Sequence, residues 1–124
     1  MKRQSAIAAL VIGLIVSLPV LAHEPGKGPN GGLQVDAGNW HAELVANGTP
    51  TVVVYLSDAD GKTIPATGFK ANAVFVVDGK PHRFTLEAAD AAKLIGTAPV
   101  ALPAGAKGAV QLTAPDGKTG QAKF

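Results

Sequence analysis

The chain has 124 residues, 47% of them apolar, with 11 basic and 9 acidic side chains and no cysteine. Two of the basic residues, Lys2 and Arg3, precede an apolar N-terminal run, so the rest of the chain carries 9 of each sign. That balance excludes the basic face a nucleic-acid partner requires. The absence of Cys, and of any Met after Met1, excludes disulfide stapling and soft sulfur ligation.

Residues 1–22 read as a secretory signal peptide. Lys2 and Arg3 form a positive start, Ala6 to Leu18 an apolar run, and Val20-Leu21-Ala22 a small-x-small cleavage site, so His23 is expected to begin the processed protein. The apolar run is shorter than the roughly 20 residues of a spanning helix and ends near Pro19, so no membrane span is expected after processing. Removing 22 residues from 124 leaves 102, enough for one domain with its own core. The expected location is the periplasm.

Residues 23–32 contain Pro, Gly, Asn, Lys and Glu with no apolar side chain to bury, and read as a flexible Gly/Pro-rich arm. Residues 33–124 read as the folded domain. Trp40 to Ala46 alternates, placing Trp40, Ala42 and Leu44 on one face and His41, Glu43 and Val45 on the other. His41 and Glu43 thus point the same way, with Cα atoms about 6.6 Å apart at strand rise.

Thr51 to Ser57 is the strongest strand signal, with apolar residues on both faces. Asp60-Gly61, Asp78-Gly79 and Asp116-Gly117 mark turns between β-rich runs, and the second joins Asn72–Val77 to Pro81–Glu87 in a hairpin. His82 falls at the end of that hairpin's core-facing row with Phe84 and Leu86. Ala88 to Ile95 has good helix formers and predicts one or two helical turns. Short strands at Val100–Leu102, Ala109–Thr113 and Gly120–Phe124 follow. Together these describe an all-β chain: an antiparallel β-sandwich, Ig-like, or a small barrel of about seven short strands. Trp40 and Tyr55 are the large residues expected inside.

Catalysis finds little material. Beyond the leader there is one serine, Ser57, at the mouth of a turn, and no cysteine, so nucleophilic catalysis is not expected and the chain reads as a non-enzyme. Asp58-Ala59-Asp60-Gly61 lacks the later ligands and closing Glu of an EF-hand.

Metal binding fits better. Cleavage before His23 would place an α-amine and an imidazole on one residue, a chelating pair whose amine has a reference pKa of about 7.7 to 8.0. His41 or His82 could add a further imidazole, and His41 with Glu43 is a second candidate pair. Nitrogen-rich ligation of this kind favours Cu(II), then Ni(II) or Zn(II). The alternative readings are a tolerated terminal histidine, a weak surface His–Glu pair, and a hydrogen-bonded histidine bordering the core. The candidate metal residues are His23, His41, Glu43 and His82.

Gly28-Pro29-Asn30-Gly31-Gly32, Trp40-His41-Ala42-Glu43-Leu44-Val45, and the run Val54 to Lys62 with Ile64-Pro65 resemble small exported β-proteins of Gram-negative bacteria. They are also similar to the β-domain near the N-terminus of periplasmic adaptor subunits in heavy-metal efflux systems. In that group the glycine stretch commonly reads His-Gly-Pro-His-Gly-Gly and is taken to bind copper or related ions. His41 and Glu43 carry over; Lys27 and Asn30 stand where the two motif histidines would be. The resemblance implies a copper-type metal ion as ligand, and a heavy-metal efflux adaptor or other envelope protein as partner. The alternative is a non-metal structural or protein-interaction module of the envelope.

Overall fold

The computed structural model describes residues 25–124, so the expected signal peptide and His23 lie outside the described residues. Nine strands follow one another: β1 (Gly26–Lys27), β2 (Leu33–Ala37), β3 (Trp40–Val45), β4 (Thr49–Asp58), β5 (Lys70–Val77), β6 (Lys80–Asp90), β7 (Lys93–Leu102), β8 (Lys107–Thr113) and β9 (Thr119–Lys123). All their pairings are antiparallel.

The all-β expectation holds, and of its two forms the sandwich is corrected to a barrel. Strand order is β1-β2-β3-β4-β7-β6-β5-β8-β9, and a further pairing of β2 with β9 closes the last eight strands into a ring with β1 added outside. Alternation reads the same in a sandwich and in a barrel. Closure depends on a pairing between the two ends of the domain, Ala37 with Ala122. Small residues make it feasible. A Cβ on Gly120 would lie 2.4 Å from the Ala37 carbonyl oxygen, so only glycine lets the two backbones approach this closely.

The interior is filled by side chains, as a barrel of this strand number requires. Val52, Val54 and Leu56 of β4, Leu44 of β3, Leu86 of β6 and Leu94 of β7 are all buried. Phe75 is fully buried and stacks between Phe84 and Phe124, with ring centroids 6.0 and 6.1 Å away. Trp40 meets Phe69 edge-on at 5.2 Å and packs against the core as expected. Tyr55 does not: it has the opposite parity to Val54 and Leu56 and faces outward, half-buried.

Two further expectations are decided by pairing. Asp78 and Gly79 both have positive φ, 52° and 75°, the backbone of a type I′ hairpin, and β5 and β6 pair in register through Val77 and Lys80. Ala88 to Ile95 is not helical. It forms the end of β6 and the start of β7, where Ala88 faces Leu94, and cross-strand pairing and burial of Leu94 override the alanines' helical preference.

Candidate functional site

On β3 the alternation is as the sequence implies: Ala42 and Leu44 face the core, and His41 and Glu43 share the outer face. That outer face is nevertheless covered. His41 is 9% exposed and Glu43 only 2%, the latter because the Gly28–Gly32 turn lies over it.

Glu43 shows why that turn sits there. Its Oε2 accepts the backbone N–H of Asn30 at 2.9 Å and of Gly32 at 2.8 Å, and its Oε1 accepts the Asn30 side-chain amide at 3.0 Å. A carboxylate removed from water is tolerable only when such charge-assisted bonds replace its hydration. The glycine spacing makes room for it. A Cβ on Gly28 would fall 2.2 Å from Glu43 Cδ, and Gly31 takes the turn at φ 81°.

Backbone bonds close the same turn, Gly28 N–H to the Gly32 carbonyl at 2.8 Å and Gly31 N–H to the Gly28 carbonyl at 3.1 Å. Upstream, Gly26 and Lys27 pair with Gln34 and Leu33. Gly26 to Gly32, the described strand and turn of the stretch read as an arm, are therefore placed against the barrel by polar contacts, which an argument from apolar burial alone does not count. The signal that could have found them was present: a Glu on a strand face, opposite a run of glycines whose amides need acceptors.

His41 has different neighbours. Its Nε2 lies 3.0 Å from Asp36 Oδ1, and its Nδ1 lies 3.5 Å from Gln34 Nε2. An amide donating to Nδ1 places the ring proton on Nε2, where it donates to the Asp36 carboxylate. Asp36 faces His41 across the β2–β3 pair, and the sequence reading missed it.

His82 belongs elsewhere. It is opposite Phe75 on β6, shares the inner-facing row of Phe84 and Leu86, and is half-buried. The strand order puts β4 and β7 between its strand and that of His41, and the two histidines are on opposite faces of the barrel wall. The structure thus brings His41 together with Asp36, and gives Glu43 to the glycine turn. It does not bring His82 to either. Among the described residues no group of three His, Cys, Asp or Glu side chains is placed to hold a metal ion, and no helix is long and apolar enough to cross a membrane.

No family model, curated protein or solved structure matches this chain.

Proposed function

We propose that this is a periplasmic, non-enzymatic protein that binds one divalent transition metal ion, copper in preference to nickel or zinc, and buffers it or passes it to an envelope efflux partner. The ligands are the amine and imidazole of His23 in the processed chain together with His41, which Asp36 orients. The observation that carries this reading is where the chain enters the barrel: Gly26 pairs with Gln34, whose side chain meets the Nδ1 edge of His41.

From Pro25 back to His23 is two residues, a reach of at most about 7 Å. In this reading His23 meets His41 across that short length of chain. Asp36 on Nε2 is the arrangement in which a carboxylate fixes a ligating imidazole's tautomer and raises its basicity, and a metal ion at Nδ1 would displace the Gln34 amide that meets it. Glu43 is committed to the turn and His82 faces the interior, so neither is part of the site in this reading.

A second reading, a structural or protein-interaction module without metal, is favoured by the contacts that already engage Glu43 with the glycine turn and His41 with Asp36. One titration separates the two. Protein whose N-terminus is verified by mass spectrometry is titrated with Cu(II), Ni(II) and Zn(II) by calorimetry, with electron paramagnetic resonance for copper.

The metal reading expects one ion per chain at micromolar affinity or tighter, nitrogen hyperfine structure, and loss of at least about tenfold in His23→Ala and His41→Ala. His82→Ala should bind as well as the wild type. Failure of the processed protein to bind any of the three ions would leave the interaction module.

A further inference from the structure

The outer face carries a second feature, independent of the metal reading. Between the Gly28–Gly32 turn and the turn following β4 lies a cleft of about 370 Å³. Its polar lining comes from Asn30, Gln34, Tyr55, Ser57 and Thr63, with Glu43 beneath them. We propose that this cleft is a binding site for a neutral, hydroxyl-rich small molecule, a mono- or disaccharide.

The lining chemistry selects this class. The hydroxyls of Tyr55, Ser57 and Thr63 make no hydrogen bond to other described residues, and each can both donate and accept. The amides of Asn30 and Gln34 add further donors and acceptors at the rim. Sugar hydroxyls have the same dual character, and a set of hydroxyls and amides can match them in either sense. The Tyr55 ring, with Ala92 also lining the cleft, gives an apolar surface for the C–H face of a pyranose.

Charge argues the same way. Among the described residues no Lys, Arg or His lines the cleft, and the one carboxylate there, Glu43, already accepts the amides of Asn30 and Gly32. An anion would meet no counter-charge, and a cation would have to compete with those amides. An extended peptide is disfavoured too. The cleft floor is built on β3 and β4, each hydrogen-bonded to strands on both sides, so no backbone edge is free for strand addition.

Size and rigidity fit a small ligand. The volume is at the low end of the roughly 300 to 1,000 Å³ of small-molecule sites. One wall is the glycine turn held by Glu43, and the floor is central barrel sheet, so the polar groups are positioned before the ligand arrives.

The test is an amide-resolved NMR titration of the processed protein, treated with chelator, against a panel of neutral mono- and disaccharides, with glycerol as the non-specific control. The expected result is saturable shifts for at least one sugar, confined to Asn30, Gln34, Tyr55, Ser57, Thr63 and their neighbours. Tyr55→Phe and Thr63→Ala should each weaken binding roughly threefold to tenfold while keeping the dispersed spectrum of the folded barrel. Gln111→Ala, on β8, should bind as the wild type does. If no sugar gives saturable shifts at these residues, or if the two cleft variants bind unchanged, the proposal is overturned. Because metal is absent throughout, either outcome leaves the metal reading standing or falling on its own titration.

Discussion

The carboxylate of Glu43, 2% exposed, accepts the backbone amides of Asn30 and Gly32 at 2.9 and 2.8 Å. One side chain from the middle of a strand thus fixes a glycine turn more than ten residues upstream. This makes Glu43 a structural anchor of the outer face.

Glu43→Gln should destabilise the protein by about 1 to 3 kcal/mol. The amide keeps the shape, but only one of its two heads can accept the N–H groups of Asn30 and Gly32. Urea unfolding measures the loss. Hydrogen exchange at Gly32 should accelerate more than at Val54 in the core, and equal acceleration at both would show that the anchor acts only through global stability.

Gly28 and Gly31 should respond differently to alanine. At Gly28 the new Cβ would fall 2.2 Å from Glu43 Cδ, so Gly28→Ala must displace the turn or the carboxylate and should cost about 1 to 3 kcal/mol. At Gly31 there is open space but φ is 81°, so Gly31→Ala should cost about 1 to 2 kcal/mol from backbone strain alone. The two separate by NMR: only the first should shift the resonances of Glu43.

The barrel seam rests on the close approach of β2 and β9. Gly120→Val would put side-chain atoms against the Ala37 carbonyl and the Trp40 ring. It should expose the edge of β2, seen as loss of exchange protection near Ala37 and Ala122, with the β5–β6 hairpin retaining its protection.

Phe75 stands at the centre of a three-ring stack and has no exposed surface. Phe75→Ala should lower stability by about 3 to 5 kcal/mol in urea unfolding. Phe75→Leu, which keeps more of the volume, should cost less.

Asp36→Asn separates the stability of the site from its chemistry. The Asp36 side chain is 33% exposed, so losing its pair with His41 should change folding stability by no more than about 1 kcal/mol. Under the proposed metal function, Cu(II) affinity should fall by about tenfold to a hundredfold, because the asparagine no longer orients and polarises the ring as the carboxylate does. Calorimetry on the same samples checks both.

The amino-acid sequence by itself determined the local features. Alternation from Trp40 to Val45 put His41 and Glu43 on one face, Asp78-Gly79 specified a tight hairpin, and valine-rich runs made the chain all-β. Each depends on residues near one another in the chain. Ala88 to Ile95 shows the limit, since a local preference for helix yielded to pairing with strands elsewhere.

Only the tertiary structure decided what covers each face and where the sheet ends. Period-2 alternation says which side chains point together, but not that Asp36 lies across from His41, that Tyr55 faces a cleft, or that Ala37 meets Ala122 to close the barrel. For Glu43 the difference is largest. Read along the chain it is a surface carboxylate beside a histidine; folded, it is buried, because the amides of a glycine turn that lacks apolar residues supply the hydrogen bonds that water would otherwise provide.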